Sequence, residues 1–301
     1  MSEVWIPITV AAAFFQNLRS ALQKKLKGKL STAGVTYVRF FYSWPFALLY
    51  VLGLCYWAKF PIPDPNYKFF AFSMLGGISQ IIFTALLIWM FSFRNFAVGT
   101  IFSKTEVLQV AVFGLVLLGD SLTLLSGAAI GISVGGICIL SIGKGQISLS
   151  TLILKAKEKS TLIGLASGFF LGISVVFFRG ASLALDYNGT VMAAAYTLLF
   201  SVTFQTIVMG FYFLWRGLSE LTAVLSNWRS GLQVGIVANF ASICWFTAFS
   251  IQNAAYVRAL GQIELVFTCI ATIFFFREKI SYFEAYGIAL VTLGIVLLVL
   301  A

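Results

Sequence analysis

Two glutamates, Glu106 and Glu264, stand 158 positions apart, each inside a long apolar run. Counted from Phe96 and Ala254, each lies about ten residues in. At 1.5 Å per residue that is about 15 Å down, near the middle of a roughly 30 Å hydrocarbon core. Charge at that depth is costly, and it pairs with another charge or lines a cavity. Such carboxylates can contact a substrate amine or carry a coupling proton. The bland account is a structural pair in which each bonds to a neighbouring helix. Lys104 stands two residues before Glu106, in the place that Gln262 takes before Glu264. A spacing of two turns the side chains about 200° apart, so Lys104 and Glu106 are no intrahelical pair. Lys104 is thus a candidate for a substrate carboxylate or phosphate, or for a counter-charge to either glutamate from another helix.

Polar residues at helical spacing mark further positions. Gln16, Arg19, Ser20 and Gln23 form one stripe on the first apolar segment, and a stripe of that kind faces protein or water rather than lipid. Weaker stripes are Gln80 with Thr84, Thr197 with Ser201 and Gln205, and Asn239 with Ser242. They either line a central cavity or make interhelical hydrogen bonds of about 0.6 kcal/mol each. Trp44 and Trp245 fall well inside their segments and are candidates for aromatic contact with an organic substrate, or for core filling; the other tryptophans sit near segment ends, as interface anchors do. Arg39, Arg179 and Arg258 lie near segment ends, where long side chains snorkel to the interface; Arg19 is also near an end but is a partial exception, since it belongs to the polar stripe. Gly164, Gly168 and Gly172 make a small-residue packing face.

Other chemistries are excluded by what the chain lacks. There is no histidine, which removes histidine triads, histidine metal ligands and histidine proton relays. The four cysteines fall singly in apolar runs without CxxC spacing, as packing residues do. No GxxxxGK[ST] loop occurs, so ATP is not the direct driver. No metal, cofactor or catalytic cluster is expected, and the chain reads as no enzyme.

These residues need a membrane to be where they are. Of 301 residues 60% are apolar and 10% charged, against about 25% charged in soluble domains. Burial on folding saturates near three quarters, so a soluble fold of this length could not hide that surface. Despite a net charge of +10, nucleic acid is not the expected partner; the lipid bilayer is. Ten segments are long enough to cross: Val4–Leu22, Ala33–Trp57, Tyr67–Phe91, Phe96–Leu118, Leu122–Ile142, Thr161–Leu183, Thr190–Leu214, Gly231–Ile251, Ala254–Phe276 and Ser281–Leu300. The lysines after the first segment reverse the charge order of a signal peptide. Thirteen Lys and Arg fall in the odd-numbered loops, against Lys59 and Lys68 on the other side. The odd loops are therefore placed in the cytoplasm and both termini outside.

The predicted architecture is all-α: ten transmembrane helices in two inverted five-helix repeats. The first repeat is 1–145, a basic cytoplasmic linker is 146–160, and the second repeat is 161–301. A shift of 158 lays Asn95 on Asn253, Glu106 on Glu264, Asp120 on Glu278 and Gly136 on Gly294. Five is odd, so the second copy starts on the opposite face and the copies are inverted. That is the architecture of alternating-access carriers, with substrate bound near the midplane between repeats.

The stretch from Ser103 to Asp120, followed by a helix with Gly127, Gly131, Gly135 and Gly136, resembles the end of a five-helix unit in the drug/metabolite transporter superfamily, in its ten-helix EamA-type carriers. Gly261 to Glu278, followed by the helix with Gly287 and Gly294, resembles the same unit again. By that resemblance Asp120 and Glu278 match the acidic turn residue, and Glu106 and Glu264 the midhelix glutamate. The proline that usually follows that glutamate is replaced by Val107 and Leu265, which puts a break of the helix there in doubt.

The resemblance implies an exporter of a small organic metabolite such as an amino acid, in the cytoplasmic (inner) membrane of a bacterium. The coupling ion would be a proton on Glu106 or Glu264, and the carrier a monomer or homodimer. A drug or organic-cation efflux carrier is the alternative; a membrane-embedded enzyme or a receptor is a more distant one. Counting all intramembrane charges gives an excess of cations, whereas the deep set of Lys104, Glu106 and Glu264 is net negative, so a zwitterion suits the sequence best.

Overall fold

The computed structural model describes residues 3–90, 92–93, 102–145, 159–267 and 281–300. Outside them lie most of the linker, residues 96–101 and 268–276 of the fourth and ninth segments, Cys269 and Glu278. Helices and their connections make up the described residues, without a strand among them.

α1 (Trp5–Leu26) carries the polar stripe, and it buries Thr9, Arg19 and Gln23 along with Ala12 and Ala13. The inward turn of that stripe explains how a 22-residue helix with arginine and glutamine at its middle sits beside apolar neighbours. α2 (Thr32–Phe41) begins at Ser31, whose hydroxyl accepts from the Gly34 amide at 3.0 Å. The second segment then breaks at Tyr42 and Ser43 and restarts as α3 (Trp44–Tyr56), with Pro45 in its first turn, where a missing N–H costs nothing. α4 (Tyr67–Met90) is unbroken.

The fourth and ninth segments are not continuous, which overturns the doubt about a break without proline. Helix α5 (Glu106–Phe113) starts at the glutamate itself, after a turn at Lys104 and Thr105. It runs into a π-helical turn (Gly114–Leu118) that Gly119 closes in the left-handed region, φ 68°. In the ninth segment α11 (Ala254–Leu260) ends in a turn at Gly261 and Gln262, and the chain turns helical again over 263–267, just before and through Glu264. Bonds from Glu264 N to Gly261 O (3.2 Å) and from Leu265 N to Gln262 O (2.9 Å) tighten this turn. α6 (Leu124–Gly145), α7 (Lys159–Ala184), α8 (Thr190–Arg216), the short α9 (Ser219–Ser226), α10 (Trp228–Ile251) and α12 (Tyr282–Val299) complete the set. α12 opens on a capping box in which Ser281 and Glu284 each bond the other's backbone N–H.

Among the described residues, six stretches are long and apolar enough to cross a membrane: Thr32–Tyr56, Tyr67–Met90, Lys159–Ala184, Thr190–Arg216, Trp228–Ile251 and Tyr282–Val299. Two shorter apolar helices cover Glu106–Leu118 and Leu124–Leu140. The protein is thus a multi-pass, membrane-embedded helical bundle. Apolar side chains such as Leu49, Leu52, Val116, Phe211 and Leu214 stand on its outside, as lipid contact demands.

The three main packings are crossed between the halves. α1 lies on α10, α4 on α7, and α6 on α12. The last is the closest. A Cβ on Gly136 would come within 2.7 Å of the Val291 amide, and one on Gly287 within 2.5 Å of the Leu140 amide. The Gly168–Gly172 face of α7 packs on the other break: a Cβ on Gly168 would meet the Ser103 carbonyl at 2.9 Å. Small residues let backbones approach this far.

Candidate functional site

The two helix breaks face each other, and their charges are exchanged. Glu106, at the start of α5 and 1% exposed, pairs with Arg258 of α11, 3% exposed. Glu264, after the second break, pairs with Lys104 in the first. Each glutamate is therefore held by a cation from the other half, a geometry no intrahelical spacing could give. Glu106 also sits where the helix N-terminus is electropositive. Gln16 Nε2 of α1 donates to Glu264 Oε2 at 3.0 Å, and Asn17 Nδ2 to the Glu264 carbonyl at 3.1 Å. Gln262 Nε2 donates back to the Arg258 carbonyl at 3.3 Å, satisfying one of the carbonyls that the end of α11 leaves open.

Arg39, Arg179 and Arg258 do not snorkel as expected, and Arg19 turns inward with its polar stripe. Arg19 (2% exposed), Arg39 and Arg258 point into the bundle, and Arg179 is held inside it. Arg258 lies over the Trp245 ring at 4.7 Å, and that ring stacks on Phe249 at 5.5 Å. Arg39 Nη1 donates to Thr84 Oγ1 at 2.7 Å, so the Gln80–Thr84 stripe receives it. Arg179 donates to the carbonyls of Phe249 (2.6 Å) and Gln252 at the end of α10, and faces Asp120 at 3.5 Å. Cations at a helix C-terminus are favourably placed. Asp120 thereby fastens the turn after the π-helix to α7 and α10.

Between these groups lies a cavity of about 30 Å³, bordered by Gln16, Arg19, Arg39, Gln80, Trp245 and Arg258 among others. It has room for a water molecule or two. Of the candidates, Gln16, Arg19, Gln80 and Trp245 border the cavity, and Glu106, Glu264, Lys104 and Gln262 form the paired breaks beside it. Asn239 is buried and accepts from Ser43 Oγ at 3.4 Å. Trp44 follows the break between α2 and α3, is 37% exposed and is not among the residues that border this cavity. Arg39 and Arg258 are the site residues that sequence reasoning passed over. Arg258 stands only five residues after Asn253, where a buried capping residue mimics a segment end.

Known proteins can be set beside this geometry. Residues 159–300 match the EamA-like transporter family. The EamA-like segment contains Arg179, Trp245, Arg258, Gln262 and Glu264, half of the paired site. The match supports a membrane transporter of the drug/metabolite transporter superfamily, and the EamA-like family is one of transporters rather than enzymes. No curated protein sequence matches the chain. A solved crystal structure superposes with a TM-score of 0.71 at 14% identity, covering 100% of this chain and 98% of that one. At that identity the likeness speaks to the fold alone.

Proposed function

We propose that the chain is a secondary transporter of ten helices in two inverted five-helix repeats, 1–145 and 161–301, that exports a small organic metabolite by alternating access. The carrying observation is the exchange of ion pairs at two broken helices beside a small, charge-lined cavity. Discontinuous helices with polar groups at their ends are the substrate and coupling-ion sites of inverted-repeat carriers. The crossed packing of α1 on α10 and α4 on α7 supports the repeat reading, since a pseudo-twofold exchanges those partners. The match over 159–300 supports the transporter class.

The two pairs have different parts. Arg258–Glu106 is sealed, with side chains 3% and 2% exposed, and acts as the pivot. Lys104–Glu264 is looser, 16% and 9% exposed, and is the pair that opens. Protonation of Glu264 removes the attraction to Lys104 and frees both sides of the second break, which couples proton movement to opening. On the same reading the protein lies in the cytoplasmic membrane of a bacterium with both termini outside.

The test is reconstitution of the full chain into proteoliposomes, with a metabolite panel counterflowed under an imposed proton gradient. Wild type is expected to show gradient-dependent flux of at least one solute. Glu264→Gln is expected to retain exchange but lose gradient dependence. Gradient-driven flux by Glu264→Gln equal to wild type would refute the coupling role, and absence of flux across the panel would refute the carrier reading.

A further inference from the structure

The buried charges do not balance. Among the described residues, five cations lie inside the bundle: Arg19, Arg39, Lys104, Arg179 and Arg258. Lys104, Arg179 and Arg258 each have a carboxylate, namely Glu264, Asp120 and Glu106. Arg19 and Arg39 have none. Both border the cavity, and among the described residues no carboxylate does. Arg39 has a neutral donor–acceptor partner in Thr84, while Arg19 has no hydrogen-bond partner among the described residues, and its Nε is buried without an acceptor. A lone buried guanidinium is costly and persists where something compensates it. Its planar fork is matched to oxyanions.

We infer that Arg19 and Arg39 form a binding site for the anionic group of the transported solute, a carboxylate or a phosphoryl or sulfonyl oxyanion, and that the substrate is a net organic anion in place of the zwitterion or organic cation that the sequence suggested. The inference rests on the carrier reading above and narrows it. Gln16 and Gln80 supply neutral donors at the rim, and the Trp245 ring forms an apolar wall. With Glu106 and Glu264 both engaged by cations, the cavity offers no free carboxylate for a substrate ammonium. The small volume fits the charged end of a solute, and the rest of it enters only as the halves part.

The experiment uses the purified full chain in detergent, melted at constant ionic strength with succinate, inorganic phosphate or methanesulfonate, and with alanine or tetraethylammonium for comparison. A ligand bound by the folded state raises the melting point in a saturable way. At least one of the three anions is expected to do so, with neither alanine nor tetraethylammonium matching it. Arg19→Gln is expected to weaken that anion at least about tenfold, the usual loss for a hydrogen bond to a charged group, with Arg19→Lys recovering part of it. Because Arg19 has no partner to lose, Arg19→Gln without ligand is expected to melt at or above the wild-type temperature. Stabilisation by alanine or tetraethylammonium but by none of the anions would overturn the inference, as would no stabilisation by any probe. So would an anion affinity unchanged in Arg19→Gln. An anion that binds through Arg19 yet is not moved in proteoliposomes would count against the carrier reading while leaving the site standing. Cation flux indifferent to Arg19→Gln would do the reverse.

Discussion

Neutralising Glu106 strands the Arg258 charge at 3% exposure, with only the Trp245 ring at 4.7 Å in partial compensation. Breaking a buried pair by removing one partner costs about 3–5 kcal/mol. For a chain of this size each kcal/mol shifts the melting point by about 2 °C, so Glu106→Gln is expected to melt about 6–10 °C below wild type. Arg258→Gln should cost a similar amount, since it strands Glu106 at 1% exposure. The double variant is different, because two neutral amides of similar size can bond to each other. It should recover about half of the summed loss, a coupling of about 3 kcal/mol or more. Thermal unfolding of the four proteins in one detergent, followed by tryptophan fluorescence, measures the cycle. Losses that add, with the double variant as low as the sum of the singles, would refute the claim that these two charges stabilise each other across the breaks.

Two further outcomes follow from the same geometry. A methyl group on Gly261 would lie 2.5 Å from Trp245 Cη2, so Gly261→Ala should displace the ring, shift its fluorescence and destabilise by about 1–3 kcal/mol, as overpacking does; an unchanged spectrum would mean the break is more open than described. Arg179 donates to two carbonyls at the end of α10 but stands 3.5 Å from Asp120, so Arg179→Gln should destabilise more than Asp120→Asn, by about 1–3 kcal/mol. Comparable melting points for the two variants would contradict that ordering.

The deep glutamates were legible because long apolar flanks leave a charge nowhere else to be. The stripe of Gln16, Arg19 and Gln23 was legible for the same reason, and α1 turns it inward. What the sequence withheld is who pairs with whom. Glu106 and Arg258 are 152 positions apart, and only the meeting of two helix ends joins them. Arg258 was misjudged because its distance from a segment end was counted as depth, whereas α11 is buried from its first residue. The breaks were hidden because neither is made by proline. Gly261 and the Ser103–Thr105 turn make them, where Trp245 and Gly168 press close.

Alternating access requires a cavity that opens to each side of the membrane in turn. Ser242 borders it, so a Ser242→Cys variant with the four native cysteines replaced reports access when sealed proteoliposomes meet a membrane-impermeant maleimide added outside or trapped inside. Labelling from both faces, with one face favoured when the proton gradient is imposed, is the predicted result. Labelling from one face alone under every gradient would contradict alternating access.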